Sequence, residues 1–368
     1  MSAALIDLVS VGAQDVYITG DPQVSFFRQN YKRHTNFAIK PERLDYIGTF
    51  GSGNEISIPI KSKGDLLSYV WIEGTNINHK NNAGSILNNN ADATFTQPTE
   101  FSLWVGGQEI SKIDSGFINS VHTHLYNESQ AKATGWSGCD DQGNNHSDNS
   151  YVIPFFFSED WTKSLPLVGL QYHQVEIRIK CRNGPFTPGS TPKVYGSYIF
   201  LDTEEREFFA KTEHEMLITQ TQFQPMTGDE QTIDLTYFNH PVKAVHIAAF
   251  GTSAGYTFGS GGTASMFING TPLFEDMSIE YHRNVVPTRH CSYFPPGAKD
   301  EPIATWPFAL TIDKSQPTGT LNFSRIDSAK ITISKPPVTA NIDFIRAYAV
   351  NYNILRIKNG MGGVAFGN

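Results

Sequence analysis

The sequence predicts an all-β chain folded as two similar antiparallel units in tandem, and three observations carry that prediction. The 368 residues include 31 Gly, 20 Pro, 25 Phe and 15 Tyr, a mix of turn formers and aromatics that favours strands and tight turns over helices. Apolar residues alternate with polar ones over short runs bounded by turn signals, the period of a half-buried strand. The same strand and turn phrases then recur in the same order in the second half of the chain, as a duplicated unit requires. Each copy holds about eight short strands by their spacing. Two eight-stranded antiparallel units with long loops are jelly rolls, which are double-sheet sandwiches.

The elements pair off along the chain. Ile56, Ile58 and Ile60 alternate in 55–74 before a Lys-Gly-Asp turn and an apolar strand; Ile233, Leu235 and Tyr237 do the same in 231–250, with Asn-His-Pro as the turn. "LWVGGQEI" (103–110) carries a Gly-Gly hairpin signal and "MFINGTPLF" (266–274) an Asn-Gly one, the strongest two-residue turn. The stretches 154–170 and 307–323, 175–180 and 329–334, and 198–209 and 348–357 complete the series. The spacing between partners shrinks only across loops, so the first copy has the longer ones. Residues 75–100, 129–150, 251–264 and 284–302 are the loops expected to share one face. "TEEREFFAKTEHE" (203–215) is the polar bridge between copies. One helix is predicted in 114–129, capped by Asp114 or Ser115, with Phe117, Val121 and Leu125 on one side. A second short helix is expected in residues 2–9. The division is therefore 1–25 as an N-terminal segment, 26–212 as the first roll and 213–368 as the second.

A net charge of −8 argues against a nucleic-acid coat, which needs a cationic surface. Cys139, Cys181 and Cys291 are too few and too scattered for a disulfide framework or a zinc site, so a reducing compartment is expected. The opening "MSAALIDLVSVGAQD" lacks a basic start and reads as no signal peptide. With no 18-residue apolar run, a soluble chain made inside the cell is expected. His122 and His124 form an H-x-H pair, but on a helix they diverge by about 200° and share no ion. His240, His246, His282 and His290 have no acidic partner at a telling spacing. No nucleotide or hydrolase motif is present, and "GMGG" (360–363) has no helix after it to cradle phosphate. Neither metal nor cofactor is expected. The basic cluster Arg28, Lys32, Arg33 and His34 sits on an acidic chain and fits a carboxylate-rich neighbour.

"SQPTGTLNFSRID" (315–327) is the stretch most like a site. Pro317 and Gly319 suit a type I turn. Beyond it Leu321, Phe323, Arg325 and Asp327 are expected on one face of a strand. An Arg–Asp pair beside a Phe lacks a nucleophile, a second carboxylate or a metal set. Arg325 and Asp327 are therefore assigned as a partly buried structural tie between turn and sheet. Asn127, Asn145, Asn269 and Asn322 match the N-glycosylation pattern, the last in an expected strand. The five tryptophans, Trp71, Trp104, Trp136, Trp161 and Trp306, are expected mostly in the core and not clustered. That weighs against a carbohydrate-binding or hydrolytic β-sandwich, which remains the rival from another class.

Five phrases in order, 12–38, 165–177, 237–245, 316–327 and 348–366, resemble the major capsid proteins of large nucleocytoplasmic DNA viruses, of the phycodnavirus and mimivirus-like branch. The resemblance runs from residue 12 to 366. It implies a double jelly roll that trimerises into a pseudo-hexagonal capsomer and tiles an icosahedral shell around an internal membrane that it does not span. It also implies an N-terminal segment at the base of the shell, an outer tower of loops that carries glycans in some members, and no enzymatic role. The expected partners are further copies, neighbouring capsomers and minor capsid proteins beneath the shell, reached through Arg28, Lys32 and Arg33. The expected location is the virion, after synthesis in host cytoplasm. The loops are short for that family, which leaves a minor or vertex-associated capsid component as the alternative.

Overall fold

In a computed structural model of the chain, the described residues are 9–51, 53–77, 99–126, 148–181, 191–226, 232–251, 262–292, 303–334 and 342–367. The predicted loops 75–100 and 129–150, the helix in 2–9, and Asn127 and Asn145 lie wholly or largely outside them. Residues 9–36 belong to a separate unit from 37–368. Taken by itself, that N-terminal unit holds one helical turn among its described residues, α1 (Val16–Thr19), and all of those residues are exposed, Arg28, Lys32 and Arg33 among them.

The first half of the larger unit contains β1 (Phe37–Leu44), β2 (Glu55–Ile60), β3 (Leu66–Ile77), β4 (Glu100–Val105), β5 (Gln108–Asp114), β6 (Asp148–Ile153), β7 (Val175–Lys180) and β8 (Lys193–Leu201). They form two antiparallel sheets, ordered β1-β8-β3-β6 and β2-β7-β4-β5. The second half repeats the pattern with β9 (His214–Met226), β10 (Thr232–Asp234), β11 (Pro241–Gly251), β12 (Thr263–Ile268), β13 (Thr271–Ser278), β14 (Ile303–Pro307), β15 (Ala329–Ile333) and β16 (Ile342–Lys358). Its sheets are ordered β9-β16-β11-β14 and β10-β15-β12-β13. The two sheet orders are the same, strand for strand. The chain is a double jelly roll.

Alternation explains why these segments are strands. Ile56, Ile58 and Ile60 of β2, Phe101, Leu103 and Val105 of β4, and Val175, Ile177 and Ile179 of β7 point inward and are buried. Each such side chain contributes roughly 1.5–3 kcal/mol on burial. Ala329, Ile331 and Ile333 of β15 play the same part in the second roll. The hairpins between β4 and β5 and between β12 and β13 each place two residues at positive φ: Gly106 at 58° and Gly107 at 83°, Asn269 at 48° and Gly270 at 80°. Both are the primed turns that right-twisted strands require. At Gly106 a Cβ would also lie 2.3 Å from the His173 ring.

After β5, the Asp114 carboxylate accepts the Phe117 N–H at 2.6 Å and starts a wide, π-type helix, Phe117–Tyr126. After β13, a wide helix again follows, Tyr281–Val285, and runs into α3, Val286–His290. Only the first was expected. The polar bridge between rolls folds as a helix, α2 (Thr203–Lys211). Asp202 accepts the Thr203 N–H, Glu204 and Glu205 occupy the first turn and Lys211 the last, matching the helix dipole at both ends. The tail that contains "GMGG" folds back as β17 (Met361–Val364) along β16.

Candidate functional site

The stretch 315–327 turns out differently from the expected strand. Only Leu321–Asn322 pairs with β11, and Phe323–Arg325 is one 3-10 turn. The Asn322 carboxamide oxygen accepts the Ser324 N–H at 3.0 Å, which breaks the two-residue period. Phe323 is buried, while Arg325 and Asp327 are exposed and do not share a strand face. No ion pair joins them among the described residues, so the charged tie is corrected. Neutral groups hold the segment instead. Phe323 N–H donates to the His240 carbonyl, and His240 N–H to Ser324 Oγ. The Asn269 carboxamide oxygen accepts the N–H groups of Asp327 at 3.1 Å and Ser328 at 3.0 Å. The exposed Asn269 thus stands at a turn that ties two loops together.

The most developed polar constellation is the seam between the rolls. The outer face of the β9-β16-β11-β14 sheet carries a row across four strands, Phe223, Tyr348, His246 and Thr305. Onto it packs β5 with the wide helix that follows. Asp114, fully buried, meets Arg346 at 2.5 Å and accepts the Tyr348 hydroxyl at 3.0 Å. Phe117 lies 5.4 Å from the Tyr348 ring, and Lys112 sits 5.4 Å over Phe223. The Tyr126 hydroxyl and His246 Nε2 are 2.8 Å apart, and His246 Nδ1 is 2.9 Å from Thr305 Oγ1. Ile218, Tyr348, Val350 and Leu355 of the second roll share one apolar cluster with the first roll's core.

Beside this contact is a cavity of 470 Å³, lined among others by Tyr69, Phe117, Tyr126, Glu159, Lys243 and Asp313. Burial pulls the Lys243 amine down to about 8, against the attraction of Glu159. Its ammonium stands 4.9 Å over the Tyr126 ring and 5.5 Å over that of Tyr352. Burial alone would raise the Glu159 carboxyl, but Lys243 and Lys163 hold it below the usual range. Burial and the neighbouring Lys243 take His246 down to about 3. Burial also pushes the Asp114 carboxyl up, with Arg346, the Phe117 N–H and Tyr348 pulling the other way. These groups hold each other in place. Among the described residues no set of three or more His, Cys, Asp or Glu side chains can bind a metal, and no helix is long and apolar enough to cross a membrane.

The first roll's corresponding face is dressed differently. Trp71 and Tyr195 stack at 5.3 Å, Tyr69 lies 5.5 Å from Trp71, and Trp161 is 6.4 Å from Tyr69. Trp161 is 60% exposed and Trp71, Tyr69 and Tyr195 are half-buried. Two tryptophans therefore meet through Tyr69, against the expectation of scattered core residues; Trp306 alone among the described ones is fully buried. The near-continuous apolar run of β3 concealed this, because it reads as buried on both faces.

Models of two parts of one family match nearly the whole chain: the major capsid protein N-terminus over residues 25–202, and the large eukaryotic DNA virus major capsid protein over 205–363. The major capsid protein of Pyramimonas orientalis virus is 31% identical over 412 aligned positions, with all of both chains covered. The chain belongs to this capsid protein family. The major capsid protein of Paramecium bursaria Chlorella virus 1 is 30% identical over 459 positions, again with both chains fully covered. A chain of the PBCV-1 virus capsid superposes with a TM-score of 0.74 at 26% identity, covering 94% of this capsid protein and 100% of that chain. The Faustovirus major capsid protein shares the fold at a TM-score of 0.64 and 12% identity. Alignments of 412 and 459 positions to a chain of 368 residues mean that these relatives carry insertions that this one lacks.

Proposed function

We propose that this structural capsid protein assembles as a homotrimer, a ring of six rolls that acts as a pseudo-hexagonal tile of an icosahedral virion shell. The observation that carries this is the pair of rolls with identical sheet order, each with a wide helix after its fifth strand, joined through a head-to-tail contact. Head-to-tail contacts use two different surfaces, and repeating them closes a ring when the rotation allows. Residues 1–25 form the base segment, 26–212 and 213–368 the two walls, and the loops the outer surface. The exposed Phe26 and Phe27, at 90% and 99%, with Arg28, Lys32 and Arg33, are a surface for carboxylate-bearing neighbours beneath the shell. The chain is made in host cytoplasm and has no catalytic task. The missing insertions favour a second reading, a minor or vertex-associated component of the same shell. Light scattering tests assembly: a mass near three times 40.8 kDa is expected, and a monomer at micromolar concentration refutes the tile.

A further inference from the structure

The two surfaces that meet in the seam each have a counterpart on the other roll, and the bulges fix the correspondence. β3 has a register shift between Leu67 and Tyr69, and β11 one between Val242 and Ala244. Two residues beyond these shifts stand Trp71 and His246, so the row Arg43, Tyr195, Trp71, Val152 on the first roll corresponds to Phe223, Tyr348, His246, Thr305 on the second. The second row is covered by the first roll's β5 and wide helix. The first row is half-buried or exposed. On the docking side, β5 ends at Asp114 and β13 at Ser278. This places Asp276 where Lys112 stands, Tyr281 where Phe117 stands and His290 where Tyr126 stands.

Resting on the trimer reading, we infer that β13 and the Tyr281–His290 helix of one copy dock on the Arg43–Tyr195–Trp71 face of a second copy. The chemistry at matching positions is complementary. Lys112 over Phe223 within the chain becomes Asp276 facing Arg43 between chains, an opposite-charge pair. Both are exposed, and neither has an ion-pair partner among the described residues. Phe117 against Tyr348 becomes Tyr281 against Tyr195. Tyr126 on His246 becomes His290 on Trp71, a ring on the better π-face. Leu273 and Val285, 51% and 47% exposed, flank this docking side and supply the apolar area that a lasting contact needs. The buried Asp114–Arg346 pair has no equivalent between chains, because Ser278 and Lys193 occupy those places. The covalent seam is ionic at its centre; the assembly seam is aromatic, with its charge pair at the edge.

The test uses full-length protein with Arg43→Asp, Asp276→Arg, both together, and Trp71→Ala, each followed by light scattering on dilution. Circular dichroism checks the fold; Asp276 lies at a φ of 50°, where arginine is strained, so Arg43→Asp, on β1, carries the charge test if Asp276→Arg misfolds. Each single variant is expected to raise the dissociation midpoint by about tenfold or more, as for opposed like charges or a lost aromatic anchor. The charge-swapped double variant is expected to return to within about threefold of wild type. A wild-type trimer with all variants equally trimeric overturns this seam and leaves the trimer standing. Single-variant losses that the double swap does not recover overturn the facing pair. A wild-type monomer overturns both.

Discussion

Asp114→Asn removes the charge that meets Arg346 across the seam at 2.5 Å, at a site where the two side chains are 0% and 5% exposed. Removing one member of a buried pair costs about 3–5 kcal/mol, because the other charge stays desolvated. Asparagine keeps an acceptor for the Phe117 N–H and the Tyr348 hydroxyl, so about 3 kcal/mol is the expected loss. At about 2.1 cal/mol/K of unfolding entropy per residue, a chain of this length then melts about 4 °C lower. Arg346→Met is expected to cost a similar amount. The double variant is expected to cost about 2–3 kcal/mol less than the sum of the singles, since the pair is lost only once. Melting is followed by circular dichroism at one fixed chain concentration, because association shifts apparent stability. An Asp114→Asn melt indistinguishable from wild type, or strictly additive costs, refutes the buried pair as the bolt of the seam.

Acid tests the buried imidazoles. His246 is held to about 3 and His282 to about 4 against a usual 6.5, by burial first, with Lys243 beside His246 and the Thr305 carbonyl opposing at His282. Folding thus favours their neutral forms. Their stabilisation is complete above pH 6.5 and is lost as pH falls through that value toward 4 and 3, at about 2 kcal/mol each by pH 5. Denaturant titrations at pH 7 and 5 are expected to differ accordingly, and His282→Gln to flatten the dependence; equal stability at both pH values counts against it. In the 315–327 segment, Arg325→Ala and Asp327→Ala are expected to leave melting unchanged. Asn269→Ala leaves two N–H groups without their acceptor and an alanine at positive φ, and is expected to cost about 1–3 kcal/mol; the reverse order of effects would restore the charged tie.

Strands and hairpins were legible because their causes are local. The Ile56-Ile58-Ile60 alternation and the Asn269-Gly270 turn each speak within a few residues. The duplication was legible through order alone, and the shared sheet orders reflect it. The seam was not. Asp114 and Arg346 are 232 positions apart, and nothing near either announces the other. The second wide helix was missed because Val285, Val286 and Pro287 are poor helix formers, while its buried His282 stacks on Trp306 at 4.5 Å, a partner distant in sequence. The bridge helix α2 was visible in Asp202, Glu204, Glu205 and Lys211 but its short span lacks an apolar stripe. The Arg325–Asp327 tie failed because a side-chain cap from Asn322, a local competitor of the ladder, ended the strand early.

Tethering through α2 gives the seam within the chain a property that no contact between separate molecules has. Its two surfaces meet at an effective concentration set by a nine-residue helix, of millimolar order for a short connection, and dilution cannot lower it. That contact forms as soon as both rolls have folded, whatever the concentration of chains. Assembly then waits only on the outer faces, so concentration can govern when shells form without ever putting the subunit's own architecture at risk.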